Sequence, residues 1–267
     1  MHIVPAYLER NKHSWNERTS YHMKTGFYDL DNFKKGQTSL KEIELYLLSD
    51  ITGKRILHLQ CHFGQDTISL ARMGAKTTGI DISDKAIARA KELAIETKAE
   101  ATFICCDLYD LPNHLNGQFD IVFTSYGTIG RLPDLDRWAK VISRFLKPGG
   151  KFIFVDFHPV VWMFDDHFDK VGYNYFNDGP IIETVNGTYA DKNAPITTET
   201  VCWNHSISEV LNSLLHNDME LASLDEFNYS PYNCFKETTE FEPGKYRISH
   251  LGNKIPMVYA ISASKKT

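Results

Sequence analysis

Short apolar runs alternate with stretches of helical periodicity from residue 55 to residue 157, and this alternation constrains the fold more than any other feature. The runs are residues 55–61 (RILHLQC), 76–82 (KTTGIDI), 101–106 (ATFICC), 119–125 (FDIVFTS) and 151–157 (KFIFVDF). Most are bounded by glycine, proline or an acid, as buried strands are. Between them, residues 84–98 place Ile87, Ala90 and Ala94 on one helical face, and residues 134–146 do the same with Leu135, Trp138, Ile142 and Phe145. Lys147-Pro148-Gly149-Gly150 ends the second helix, because proline cannot extend it and glycine accepts a positive φ. Strands alternating with helices of about 10–15 residues predict βαβ units and a parallel sheet. Right-handed crossovers then bring the C-terminal ends of the strands to one edge, where ligands bind.

The rest of the chain attaches to this core. Residues 1–52 read as an N-terminal cap that ends in a helix carrying Leu40, Ile43 and Leu47, closed by Gly53. Residues 53–158 read as the core, whose strand ends are the expected binding edge, and residues 159–203, rich in aromatics, glycine and asparagine, read as an insertion or lid without helical period. Order returns in residues 204–267, read as the C-terminal part of the core. Ser206-Ile207-Ser208-Glu209 is a capping box for a helix with Ile207, Val210, Leu211 and Leu214 on one face, and residues 219–227 and 257–264 are two final strands. A chain of 267 residues lies between one and two domains at roughly 150 residues each. With no second core in view, the expectation is one α/β domain: a Rossmann-like, seven-stranded, mostly parallel sheet with helices on both faces, an N-terminal helical cap and an aromatic insertion.

Composition narrows the function classes. With 42% hydrophobic and 24% charged residues, the chain is neither collagen-like nor disordered. A net charge of −5 argues against a nucleic-acid partner and for a small acceptor, a cationic one included. The N-terminal MHIVPAYLERNKHSW has no apolar core of a signal peptide, and no apolar run reaches the length of about 18 residues that a membrane span needs. Five cysteines without a CxxC pair predict neither a disulfide framework nor a metal site. A cytoplasmic protein without a membrane partner is expected, and no oligomeric state is assigned.

Three consecutive strand ends carry groups suited to one ligand. The first strand runs through Gln60, Cys61, His62 and Phe63 to Gly64, and a strand entering a glycine turn before a helix lets backbone N–H groups approach an anionic or zwitterionic ligand. With one glycine, an ordinary strand–helix turn is the competing reading. The second strand ends at Asp81 and Ile82, at the distance where nucleoside binders set a carboxylate against the ribose hydroxyls. Helix capping would compete for Asp81, but Ser83 and Asp84 already fill that role. The third strand leads to Asp107 and Leu108, which suit an adenine amino group and its ring, or equally a plain turn. The series as a whole points to an adenosine-containing ligand.

On these residues, and on Thr78-Gly79-Ile80-Asp81-Ile82-Ser83, Phe119-Asp120 and Leu146-Lys147-Pro148-Gly149-Gly150 above all, the chain resembles a class I S-adenosylmethionine-dependent methyltransferase, close to the methyltransferase-11/25-type small-molecule enzymes. The resemblance covers about residues 53–158 closely. It implies that Asp81 binds the ribose of S-adenosyl-L-methionine, Asp107 with Leu108 the adenine, and the turn of residues 60–64 the methionine part. Ser125 and Tyr126, after the fourth strand, would face the sulfonium and the acceptor. Where the family has an acid and several glycines, this chain has His58, Gln60 and His62. Together with Trp15-Asn16 and His22, the HLQCHFGQD run resembles a bacterial subgroup that shares this altered turn. The implied cofactor contacts are thus Trp15, Gln60, Cys61, His62, Gly64, Asp81, Ile82, Asp107, Leu108, Ser125 and Tyr126.

Methyl transfer is a direct displacement, so alignment and water exclusion carry most of the catalysis. Where an acceptor must lose a proton, histidine is the natural base. His158, just beyond the fifth strand, is the expected catalytic residue, against the plainer reading of a histidine bonded to loop backbone. His205 and His22 are further candidates, and His58 reads as a core residue. Trp162, Phe164, Phe168, Tyr173, Tyr175, Phe176 and Tyr189, interleaved with Asp165, Asp166, His167 and Asp169, predict an apolar lid, with Trp15 and Tyr21 closing from the other side. The strand-four tetrad Thr124-Ser125-Tyr126-Gly127 lacks the proline common in base methyltransferases, which again disfavours nucleic acid. The expected function is methyl transfer to a small-molecule acceptor. The alternatives are a module that binds S-adenosylmethionine or S-adenosylhomocysteine without turnover, and an NAD(P)-dependent oxidoreductase, whose G-x-G-x-x-G turn is absent.

Overall fold

A computed structural model describes residues 6–267, so the first five residues of the expected cap lie outside the described part. In chain order the elements are α1 (Ala6–His22), α2 (Leu30–Lys34), α3 (Glu42–Leu48), β1 (Arg55–His58), α4 (Gln65–Arg72), β2 (Lys76–Asp81), α5 (Asp84–Glu96), β3 (Ala101–Cys105), β4 (Phe119–Ser125), α6 (Leu135–Phe145) and β5 (Leu146–Phe157). They continue as β6 (Ile181–Asn186), β7 (Thr197–Cys202), α7 (Ile207–His216), β8 (Met219–Phe227), β9 (Thr238–Glu242), β10 (Lys245–Ile248) and β11 (Val258–Lys265). Seven strands form one sheet in the order β3-β2-β1-β4-β5-β11-β8. Of these seven, β11 runs antiparallel to both its neighbours and the rest are parallel. The chain winds outward from β1 to β3, then restarts at β4 in the other direction. That reversal opens a crevice between the ends of β1 and β4.

Burial on both faces explains the unbroken apolar runs. Leu57, Val122, Phe152 and Phe154 face α6 and α7, packing with Trp138, Ile142, Phe145 and Val210. Their neighbours Ile56, Ile121, Phe123, Ile153 and Val155 face the other way, onto Ile43, Leu47 and Leu48 of α3. Each fully buried side chain of this kind stabilises the fold by about 1.5–3 kcal/mol relative to exposure. Helix starts are fixed locally: Ser83 accepts from the Ala86 N–H at 3.0 Å and Asp134 from the Arg137 N–H at 3.0 Å.

Several expected boundaries shift. β1 ends at His58, three residues early, because Gln60 turns into the left-handed region. β5 starts at Leu146 instead of residue 151, since the Leu-Lys-Pro-Gly-Gly segment is extended and Leu146 pairs with Phe119. Ser206 caps α7 by accepting from the Glu209 N–H at 3.2 Å, but the Glu209 carboxylate turns away to the His205 ring at 3.0 Å, so half of the expected capping box forms.

Two excursions rise above the strand ends. Residues 159–203 fold into a 3-10 turn (Pro159–Met163) and the β6–β7 hairpin. The second excursion, between β8 and β11, carries the β9–β10 hairpin; it was expected to be plain core. α1 lies against β7. The Asn11 side chain donates to the Val201 carbonyl and accepts from its N–H, both at 2.9 Å, Ser14 bonds Thr198 at 3.1 Å, and Arg10 pairs with Glu199 at 2.9 Å. Cap and insertion therefore form one roof over the crevice. Among the described residues, no helix is long and apolar enough to cross a membrane.

Candidate cofactor and acceptor site

A cavity of about 1240 Å³ lies under this roof, over the C-terminal ends of the parallel strands. All eleven residues expected to contact a cofactor line it: Trp15, Gln60, Cys61, His62, Gly64, Asp81, Ile82, Asp107, Leu108, Ser125 and Tyr126.

The turn after β1 is unusual in its backbone. Gln60, His62 and Gly64 all have positive φ, at 53°, 51° and 81°. Only glycine fits the third position, where an added Cβ would meet the Phe103 ring at 2.6 Å and the Ala90 Cβ at 2.9 Å. At the other two, a side chain in the left-handed region costs about 1–2 kcal/mol and is held by its contacts. Gln60 Nε2 donates to the Thr128 carbonyl at 2.9 Å, which ties this turn to the loop after β4. The His62 ring packs among Trp15, His22, Tyr28 and Phe63 at centroid distances of 4.4–5.7 Å.

Asp81, at the end of β2, is buried and accepts from two backbone donors, His62 N–H and Ser83 N–H, both at 2.8 Å. Burial pushes its carboxyl up to about 6 despite these bonds. Asp107 is half-buried, with its carboxyl also raised by burial, and Leu108 beside it is buried. The loop after β4 is held by Asp156, which accepts from Gly127 N–H (2.5 Å), Thr128 N–H (3.1 Å) and the Thr128 hydroxyl (3.1 Å).

Beyond this strip the cavity continues between rings. Ser125 Oγ donates to Asp66 Oδ2 at 3.3 Å, and Ser39 Oγ donates to Asp66 Oδ1 at 2.6 Å. No cation forms an ion pair with Asp66 among the described residues. Tyr126, with φ of 44°, donates through its hydroxyl to the buried Glu44 at 2.9 Å, and burial together with the charge of Asp66 raises Glu44 to about 7. Phe27, Tyr28, Tyr189 and Tyr232 complete the wall, with the Tyr28 and Tyr189 hydroxyls 2.5 Å apart.

The expected base is in the wrong place. His158 does not line the cavity: it caps the 3-10 turn, accepting from Val160 N–H at 3.2 Å through Nδ1, and its Nε2 pairs with Glu226 at 2.8 Å. Both ring nitrogens are engaged in holding the start of the insertion, which corrects the sequence reading. His205 is likewise structural: its Nε2 bonds the Leu132 carbonyl at 2.8 Å, and its Nδ1 lies 3.0 Å from the Glu209 carboxylate. His58 bonds the Thr67 hydroxyl at 2.8 Å, and burial lowers it to about 4. Of the insertion's rings, Trp162, Phe164, Phe168, Tyr173 and Tyr189 line the cavity, while Tyr175 and Phe176 do not; nor does Tyr21 of α1.

Sequence reasoning missed Arg18, Asp66, Glu44 and Arg131. A signal for Arg18 existed in α1, whose buried positions Asn11, Ser14, Arg18 and His22 recur at helical spacing but are polar, so a search for apolar periodicity passes over them.

A model of the methyltransferase domain family matches residues 56–150. An uncharacterized methyltransferase of Synechocystis is 37% identical over 131 residues, covering 48% of this chain and 59% of its own length. Residues 56–150 thus carry a methyltransferase domain, and the chain is similar to class I S-adenosylmethionine-dependent methyltransferases. A ubiquinone biosynthesis O-methyltransferase of Xanthomonas oryzae is 30% identical over 128 residues, covering 47% of this methyltransferase and 53% of the relative. The chain thus spans between half and three fifths of the length of these curated relatives. Among solved structures, a putative S-adenosylmethionine-dependent methyltransferase from Listeria monocytogenes superposes with a TM-score of 0.57 at 21% identity, over 84% of this chain and 97% of that one. A geranyl diphosphate C-methyltransferase from Streptomyces coelicolor does so with 0.60 at 16% identity, over 98% of each. Both likenesses are of fold. The cofactor of the family is S-adenosylmethionine, and the methyltransferase has polar atoms to suit it. Of the residues lining the cavity, the side-chain atoms Arg18 Nε, Gln60 Oε1 and His62 Nε2 are buried without a partner among the described residues, whereas His22 does not line it.

Proposed function

We propose that this methyltransferase moves a methyl group from S-adenosylmethionine to a small-molecule acceptor lodged between the aromatic walls. The observation that carries this reading is the continuity of one cavity, from the acids at the ends of β2 and β3 to the ring-lined lobe around Asp66. In this reading Asp81 accepts from the two ribose hydroxyls, whose paired donors suit one carboxylate. Asp107 receives the adenine amino group and Leu108 packs against the ring. Ile82 and Cys61 line the same strip. The turn of residues 60–64 takes the methionine part, and Trp15 covers it from α1.

When bound, the cofactor supplies a methyl group on a sulfonium sulfur, open to displacement by an acceptor lone pair. The chain's own residues align and dehydrate the acceptor, and such orientation is worth up to about 7–11 kcal/mol of barrier. Asp66 replaces His158 as the proton acceptor. It lies beside Ser125, its hydrogen bonds come from two serine hydroxyls, and it has no ion-pair partner among the described residues. A hydroxyl or amine acceptor, neutral or cationic, fits a carboxylate set among tyrosine rings. The O-methyltransferase named among the relatives agrees with an acceptor of that kind.

Calorimetry with S-adenosylhomocysteine, followed by release of that product over a panel of phenols, alcohols and amines, tests the reading. Wild type binds and turns over at least one acceptor, whereas Asp66→Asn binds with unchanged affinity and turns over at least about a hundred times more slowly. NAD binding with no response to S-adenosylhomocysteine would sink the proposal. Binding without turnover would favour a sensor.

A further inference from the structure

One charge under the roof has no counterpart. Arg18 is 4% exposed, lines the cavity, and has no carboxylate within ion-pair distance among the described residues. Its Nε has no partner among the described residues. The charged side chain acting on it most strongly is another cation, Arg131, and both guanidinium groups sit on the Trp15 ring, at 5.4 and 5.9 Å from its centroid. Arg131 spends one donor on the Cys202 sulfur at 2.7 Å. A buried guanidinium with unused donors is a costly arrangement unless an anion completes it.

The neighbouring turn shows which anion. Arg18 acts electrostatically on His62, the residue that stands where the family carries a glycine. His22 and His62 stay neutral, pushed down to about 2 and 3 by burial, so neither adds positive charge. Gln60, at the other substituted glycine position, has its amide orientation fixed: Nε2 must face the Thr128 carbonyl, because the oxygen there would be repelled. Its Oε1 is therefore an acceptor, buried and unpartnered. A cation and an acceptor lining one cavity, neither paired among the described residues, are complementary to a carboxylate and an ammonium on one carbon.

We propose that Arg18 and Gln60 together read the amino-acid end of the cofactor, with the Arg18 guanidinium taking its carboxylate and Gln60 Oε1 accepting from its ammonium. The inference rests on the cofactor reading above, and adds to it that two side chains do what backbone at a glycine-rich turn does elsewhere. Arg131 strengthens the positive field on the same side of Trp15. His62 packs the left-handed turn through its ring contacts, and its Nε2 has no partner among the described residues.

The test compares two ligands with the same adenosine and thioether: S-adenosylhomocysteine, and 5′-methylthioadenosine, which lacks the amino-acid end. Calorimetry on the full chain reads wild type, Arg18→Gln, Arg18→Lys and Gln60→Met. Wild type is expected to prefer S-adenosylhomocysteine. Arg18→Gln loses about ten- to a hundredfold in affinity for it while binding 5′-methylthioadenosine as before, Arg18→Lys recovers part of the loss, and Gln60→Met shows a smaller selective loss. Equal losses for both ligands would make Arg18 a structural residue and overturn the proposal. So would unchanged S-adenosylhomocysteine affinity in Arg18→Gln, the result expected if the guanidinium serves an anionic acceptor. Wild type binding neither ligand would instead overturn the cofactor reading itself, so the two failures are distinguishable.

Discussion

Asp81 should make cofactor binding depend on pH, and the dependence should vanish in Asp81→Asn. The carboxyl is buried, accepts from two backbone N–H groups, and is raised to about 6 by its surroundings. Only the ionised form offers acceptors to both ribose hydroxyls, so binding draws the equilibrium toward the carboxylate and releases a proton where the free group is protonated. With a value near 6, the ionised fraction falls from about 0.97 at pH 7.5 to about 0.09 at pH 5. Affinity then drops about tenfold across that window, or about 1.4 kcal/mol. Asp81→Asn loses the charge-assisted part of these bonds at every pH, a cost of about 1–3 kcal/mol at pH 7.5. The assay is calorimetry with 5′-methylthioadenosine, which has no amino-acid group titrating in this range, in buffers of differing ionisation enthalpy so that the proton released is counted. The expected result is a sloping profile for wild type, a flat and weaker one for the variant, and proton release near pH 6 in wild type only. A wild-type affinity that is constant from pH 7.5 to 5, or an asparagine variant with the same slope, would refute the reasoning.

Two further perturbations probe the surroundings of the site. Glu44 is raised from an ordinary 4.5 to about 7, so its buried charge weakens the fold as pH rises from 4.5 through 7, and the cost is complete above that. Glu44→Gln should therefore gain stability at pH 8, by at most about 3 kcal/mol for 2.5 pH units and less after weakening of the Tyr126 bond, and none at pH 4; equal denaturation midpoint shifts at both pH values would contradict this. Asn11→Ala removes both bonds to the Val201 backbone, so amide exchange should quicken in α1 and β7 while the sheet keeps its protection; exchange that rises uniformly would mean the roof is not a separate unit.

The chemistry at the strand ends was readable because it is local. Asp81 and the turn of residues 60–64 follow strands that are largely buried and announce themselves as apolar runs, while Asp107 follows the edge strand β3, of which only Phe103 is buried. His158 misled for the same reason. Its place after β5 puts it at the right edge of the sheet, but Pro159 begins a 3-10 turn in which the imidazole accepts from the Val160 N–H, and Glu226 comes from a strand 68 residues away. The β9–β10 hairpin escaped notice because β9 is largely solvent-exposed and carries no alternation to detect.

By itself the sequence determined the alternation of strands and helices over residues 55–157, the edge of the sheet at which the cavity opens, and the acids that line it, because hydrophobic periodicity and turn chemistry act over neighbouring residues. Only the tertiary structure decided the other half of the site. It set Arg18 of α1 beside His62, Glu44 of α3 against Tyr126, and Asp66 beneath the rings of two excursions. Those partners are polar and distant in sequence, so no periodicity marks them. What selects them is burial, which leaves a guanidinium nitrogen and an amide oxygen under the roof without partners among the described residues.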